Sequence, residues 1–277
     1  AAEADRLFQQ NQFQKARDAY KILLEKRPKD ALYNYRYARC CYELKDDENA
    51  IKHFELSGNR FPLTNKYLGE LYMKTYRFSQ SVAAYEEYLK TINETDKEFL
   101  TIQKAKKKAE LAEKMIQRVD DIQIIDSVVV NKDRFLEFYK FTNDLGSLSA
   151  TPVKIGKKKD FKITYTTQRQ DRKLFSDTVH GQMDIFTSYK LLDEWSKPES
   201  VSDIINTKAN ENYPFLLLDG VTIYFASDGD NSIGGYDLFV SRFRPETNTY
   251  FQPENIGMPY NSIYNDYMMV IDDIHQV

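Results

Sequence analysis

The chain has 277 residues, enough for two domains, with 42% apolar and 29% charged residues, an ordinary globular balance. A formal net charge of -3 gives no electrostatic footprint for nucleic acid, and no apolar run reaches the roughly eighteen residues of a membrane-spanning helix. Aromatics are the outlier, with twenty Tyr and seventeen Phe against one Trp.

The chain opens at Ala1, without Met, inside a helical pattern. This leads us to expect that a signal peptide, a lipoprotein leader or another preceding segment has been removed. From Ala4 to Pro28, Ala4 and Leu7 mark a first helix and Asn11-Gln12 a turn. Phe13, Ala16, Tyr20 and Leu24 then form the apolar stripe of a second helix, with Pro28 as its stop. The frame returns 34 residues on, with Tyr37-Ala38, a turn at Asp46-Asp47, Ala50, Phe54 and a stop at Pro62. It returns once more 31 residues after Ala50, with Leu68, Gly69 and Tyr72 before Phe78, Ser81 and Tyr85. The adjacent Cys40 and Cys41 point about 100° apart on a helix, so they read as small packing residues and not as a bridge.

Over residues 1–92 these three copies resemble the tetratricopeptide repeat, carried by the small, aromatic, Ala and Pro positions. The usual Trp is absent, Ser57-Gly58 replaces a bulky pair, and Ser81 stands for the third Ala. The resemblance implies that the first helices of each hairpin line a groove that holds a peptide or protein partner. It places Asn34, Arg36, Tyr37, Asn65 and Tyr67 there as candidate partner-binding residues.

A long helix from Lys97 to Arg118 follows, with a narrow apolar stripe and a lysine-rich solvated face, as expected of a helix that caps an array. At Ile122–Val130 the pattern changes to β, predicting an extended strand at a domain junction. We expect domains at 1–119 (helical repeats) and 159–277 (β-blades), with an extended linker at 120–158 anchored by Phe135, Phe138, Tyr139 and Phe141.

The back half repeats itself. Asp184-Ile185-Phe186 recurs 53 residues on as Asp237-Leu238-Phe239. Trp195, Pro198 and Asn206-Thr207 with Asn210-Glu211 recur 55 residues on as Tyr250, Pro253 and Asn261-Ser262 with Asn265-Asp266. Such a period is that of a propeller blade. Predicted strands are 161–166, 173–176 and 185–190 in one blade, then 215–218, 222–227, 238–243 and a short one near Tyr250 in the next. A third blade is expected to start at 266–271. Asp228-Gly229 and Gly234-Gly235 read as turn residues flanking a hairpin loop, and Asp184 and Asp237 as carboxylates that pin each hairpin by accepting loop amides. The fold class is therefore an α-solenoid followed by antiparallel propeller-like blades in an incomplete ring. The chain is expected either to be part of a longer protein or to be completed by its own linker or a partner.

Tyr224–Ser241, with Asp228-Gly229, Gly234-Gly235-Tyr236-Asp237-Leu238-Phe239, resembles the WD40-like, TolB-like repeats called PD40. Its pairing with tetratricopeptide repeats resembles the accessory proteins of gliding motility and type IX secretion in Bacteroidetes, which implies a periplasmic or outer-membrane-associated location. No peptidoglycan-binding domain is recognisable.

The three histidines, His53, His180 and His275, fall in separate units of the pattern, which argues against a metal site or a histidine-based triad. Asp228-Gly229-Asp230-Asn231-Ser232 has the alternating oxygens of a calcium loop but lacks the closing carboxylate, so a turn explains it better. No phosphate-binding glycine loop or nucleophile elbow occurs. No catalytic residue, metal ligand or cofactor is assigned. The expected function is a non-catalytic protein-interaction scaffold of the cell envelope. The alternatives are a glycan- or peptidoglycan-binding module using Trp195, or the gate of a larger hydrolase, and a cytoplasmic location is the alternative to the envelope.

Overall fold

A computed structural model describes residues 1–119, 121–139, 141–142, 144–156 and 158–272. The chain divides into two compact units, Ala1–Lys114 and Met115–Val277. The third histidine, His275, lies outside the described residues.

The first unit is three antiparallel helix pairs and one further helix: α1 (Ala2–Gln9), α2 (Phe13–Lys26), α3 (Ala31–Glu43), α4 (Asp47–Ser57), α5 (Leu63–Lys74), α6 (Phe78–Leu89) and α7 (Lys97–Ile116). Each hairpin turn carries one residue in the left-handed region, Asn11, Lys45 and Tyr76, at equivalent positions. Their φ values of 55°, 62° and 60° let two helices reverse direction within a few residues. The turn expected at Asp46-Asp47 sits one residue earlier, because Asp47 already opens α4 and supplies a carboxylate to its first turn. Pro62 does not end α4. That helix stops at Gly58, whose φ of 62° leaves the helical region, and Pro62 stands immediately before α5, where a missing N–H costs nothing.

The small positions do what the repeat pattern demands. Ala16, Ala38 and Ala50 are completely buried, with Tyr20 and Phe54 filling the gaps beside them. At Gly69 a Cβ would meet the Tyr85 ring at 2.5 Å, and Ser81 Oγ donates to the Gly69 carbonyl at 2.7 Å. Helix α5 therefore lies directly on α6 at this point, as only glycine allows.

The second unit is two antiparallel sheets. Its strands are β1 (Ser147–Ile155), β2 (Lys158–Thr166), β3 (Arg172–Val179), β4 (Gln182–Tyr189), β5 (Glu199–Ser200), β6 (Glu211–Leu216), β7 (Thr222–Ser227), β8 (Asp237–Arg244), β9 (Thr249–Tyr250) and β10 (Glu254–Asn255). One sheet runs β1-β2-β3-β4-β5 and the other β10-β8-β7-β6, with β9 paired to β8. Strand β6 packs across β2, β3 and β4, and one core joins both sheets through Ile163, Leu174, Ile185, Phe215, Ile223 and Phe225. These are incomplete propeller-like blades, and among the described residues they do not close into a barrel.

Three expectations need correction here. Residues 147–155 and 158, expected as connector, form β1 and the first residue of β2. Pro152 and a mostly exposed burial pattern hid an edge strand whose polar face meets water. Ile122–Val130 forms no strand and its side chains are largely exposed, since no sheet edge takes it among the described residues. Residues 266–271, expected to start a third blade, form no paired strand among the described residues. They cross the shared core without strand pairing, Met268 is buried, and Tyr139 Oη donates to its carbonyl at 2.6 Å. Phe135, Tyr139 and Phe141 pack on that same core, whereas Phe138 is exposed.

Replacing Gly69 by Ala should destabilise the helical unit by about 1–3 kcal/mol, although Ala is the better helix former, because the Tyr85 ring must move. Urea denaturation followed by circular dichroism measures this; a stabilised variant would show that the two helices separate freely.

Candidate functional site

Successive first helices meet side by side, and their contacts build one face from α1, α3 and α5. Arg36 on α3 reaches back to α1, pairing with Asp5 at 3.0 Å and lying over the Phe8 ring at 5.2 Å. Tyr20 Oη donates to the same carboxylate at 2.5 Å, and burial together with that bond raises the phenol's pKa far out of its usual range. One turn along α3, Arg39 lies over the Tyr67 ring of α5 at 4.4 Å and donates to Glu43 at 3.1 Å. Tyr42 Oη donates to Glu70 at 2.5 Å, and Lys66 pairs with Glu98 at 2.7 Å. Tyr67 in turn stacks on Phe54 at 5.4 Å, and Tyr35 stacks on Phe61 at 4.4 Å.

The expected partner-binding residues separate into two groups. Arg36, Asn65 and Tyr67 are half-buried on this face. Asn34 is fully buried: its Nδ2 donates to the Pro28 and Asp30 carbonyls at 2.9 Å each, and its Oδ1 lies 2.7 Å from His53 Nδ1. Because both amide hydrogens are spent, His53 must donate from Nδ1, and burial, aided by Lys52, lowers its pKa so that it stays neutral. Asn34 therefore holds the entry to its own helix and offers a ligand nothing. Tyr37 likewise belongs to packing, tilted against His53 at 4.4 Å between two clusters of core residues. Arg39 and Tyr35, which sequence reasoning missed, share this face; their spacing of four on one helix was the available signal.

The blade motif is a set of side chains that stand in for a missing strand. Asn206 Oδ1 accepts from the Ile185 amide and its Nδ2 donates to the Ile185 carbonyl, both at 2.8 Å. Asn261 does the same to Leu238 at 2.7 and 2.9 Å. Asn210 accepts from the Met183 amide at 3.1 Å and Asn265 from the Tyr236 amide at 2.9 Å. Glu211 then accepts from the Thr207 amide and hydroxyl, as Asp266 does from those of Ser262.

The two strand-initial aspartates differ. Asp237 is buried and accepts from the Ile233 and Gly234 amides at 2.9 and 3.1 Å. Asp184 follows a tight His180-Gly181 turn with no such loop, and Gln182 Nε2 donates to it instead at 3.2 Å. Asp228 is tied at both oxygens by Asn210, whose amide and Nδ2 donate at 2.8 and 2.9 Å, while Gly229 donates its amide to Ser227 Oγ. Gly234 and Gly235 are close-approach glycines: a Cβ would sit 1.8 Å from the Tyr264 carbonyl oxygen and 2.0 Å from Asn265 Oδ1. Among the described residues no group of three or more His, Cys, Asp or Glu side chains is arranged to hold a metal ion.

Burial raises the pKa of Glu211, and it lifts that of Asp266 to about 6. The tetratricopeptide-repeat family matches residues 1–57. No curated protein matches the chain.

Asn261→Ala should cost the second unit about 1–3 kcal/mol, by leaving the buried Leu238 amide without its partner, while the Leu238 carbonyl keeps the Ile256 amide at 3.1 Å. Denaturant titration followed by tyrosine fluorescence reads this, and a neutral result would remove the clamp from the stability argument. A second expectation concerns pH. Folding raises the Asp266 pKa above its unfolded value, so the folded state holds the proton more tightly. The second unit should therefore gain stability as pH falls from 7 through about 6 towards 4. Asp266→Asn should flatten that dependence, and an unchanged profile in the variant would assign it to other groups.

Proposed function

We propose that this chain is a non-catalytic scaffold of the bacterial cell envelope that holds a peptide or protein partner on the α1–α3–α5 face, with the blades as a second protein-binding surface. The observation that carries the reading is the tetratricopeptide match at residues 1–57, which spans α1 to α4, with Arg36 and Arg39 of α3 joined by Tyr67 of the following α5 in one half-exposed face. That family typically binds proteins and is typically without catalysis. The envelope location rests on the pairing of helical repeats with WD40-like, TolB-like blade sequences.

Face chemistry fits a peptide with both polar and aromatic groups. Arg36, Arg39 and Lys66 are each already matched by Asp5, Glu43 and Glu98. A ligand must replace those pairs in kind, which selects geometry more than overall charge. Trp195 is a poor sugar platform: it is half-buried, bridged to Lys190, and covered by Lys173 Nζ at 4.7 Å from its ring.

Affinity capture from crosslinked, fractionated envelope tests this with three forms of the tagged chain. The unaltered chain and Trp195→Ala should recover the same few stoichiometric proteins. The Arg39→Ala, Tyr67→Ala double variant should recover them roughly tenfold less well. Equal recovery by the double variant, or recovery of cell-wall sugar lost on Trp195→Ala, would overturn the reading.

A further inference from the structure

Within the second unit a cavity of about 450 Å³ opens beside the β1–β2 hairpin. Its walls are apolar and come from three places: Phe135 from the segment before β1, Pro152 and Val153 from β1 with Phe161 from β2, and Tyr213 from β6. The Tyr213 wall is fixed with unusual care. A bulge in β6 between Asn212 and Phe215 holds Tyr213 at a φ of 56°, a left-handed conformation that is strained for a bulky residue. Its phenol donates to Asp160 Oδ1 at 2.6 Å, and Tyr236 donates to the other oxygen at 3.0 Å. Asn212, fully buried, donates to the Phe161 carbonyl at 2.7 Å and ties the bulge to the hairpin.

Charge at this cavity is lopsided. Lys132, Lys154 and Lys159 all line it, together with Asp133 and Asp160. Asp160 is occupied by the two phenols, and Lys132 is held in its charged form first by its hydrogen bond to Tyr267 and then by Asp160 and Asp133. Lys154 and Lys159 sit opposite each other in the β1–β2 register, are exposed, and form no ion pair among the described residues. Strand β1 is also an edge of its sheet, with no strand on its far side among the described residues. Its backbone can therefore receive an extended chain, over a short span because Pro152 lacks an N–H.

We propose that this cavity is a binding site for an extended acidic peptide, seating a bulky apolar side chain between Phe135, Phe161 and Tyr213 while flanking carboxylates meet Lys154 and Lys159. The cavity admits one aromatic or branched side chain with room to spare, and the two unpaired lysines repel a basic segment and attract an acidic one. This rests on the reading of the blades as a protein-binding surface and names the chemistry of that surface. It is independent of the helical face.

The test is fluorescence anisotropy of the whole chain with three labelled probes: a hexapeptide of Asp and Glu around a central Phe, the same peptide with Lys for each acid, and the fatty acid laurate. The acidic peptide should bind and the basic one should not. Lys154→Ala with Lys159→Ala should weaken the acidic peptide roughly tenfold, each exposed charge pair contributing a factor of about three. Both lysines are exposed, so this variant folds. Phe161→Ala should weaken both the peptide and any laurate binding, and Arg39→Ala should change neither. Binding of laurate alone, equal binding of the two peptides, or indifference to the lysine pair would overturn the proposal. A loss on Arg39→Ala alone would move the peptide to the helical face.

Discussion

The amides of Met183, Ile185, Tyr236 and Leu238 begin strands whose outer neighbours, β5 and β10, are only two residues long. These residues are buried, and an unpaired buried amide costs about 1–3 kcal/mol, so each blade needs a segment that returns to answer them. Asparagine is suited to the task because its carboxamide presents a donor and an acceptor in the spacing of a peptide group. Asn206 and Asn261 each take both groups of one residue, and Asn210 and Asn265 each take one more amide. Fixing the return segment also fixes the strand after it. Glu211 ends the first clamp and begins β6, so the clamp sets where the second sheet lies across the first.

The two units use aromatics for different ends. In the helical unit, small residues bring helices together and Tyr or Phe fills the remaining space, with tyrosine hydroxyls reaching carboxylates one repeat away. In the blade unit, ring contacts join segments far apart in sequence: Phe135 touches Tyr213 and Tyr267, and Phe141 touches Tyr165 and Phe215. A chain with one Trp and many Tyr thereby gains aromatic packing together with hydroxyls that satisfy buried acceptors, such as Tyr165 Oη on the Leu145 and Leu216 carbonyls.

Much of this architecture is legible because repetition is legible. Ala16, Ala50 and Ser81 at like positions give the helical hairpins, and the asparagine motif gives the blade spacing. β7 falls where its aromatic run ending at Ser227 predicts, at Thr222–Ser227. Features that depend on a distant neighbour escape. Gly234 and Gly235 look like turn glycines until Tyr264 and Asn265 are seen against them. Asn34 looks like a polar residue free to meet a ligand, yet two carbonyls and a histidine consume it. Tyr213 carries no local sign that its backbone is left-handed, because the bulge exists to deliver its hydroxyl to Asp160, fifty-three positions upstream. Strand β1 escapes for the opposite reason: water touches most of it, so it lacks the alternation that a half-buried strand writes into sequence.

Cys40 and Cys41 sit fully enclosed in the helical unit, facing two different clusters of core residues. Burial pushes their thiols up to about 12 and about 11, far from the pH at which a thiolate forms in water. In the folded unit both are hidden from alkylating and oxidising reagents in two senses, by exclusion and by protonation. Their reaction with such a reagent thus becomes a clock for the opening of the helical array, running only while α3 has left its neighbours. Since the chain's other sulfurs are thioethers, that clock reads one unit and is silent about the blades.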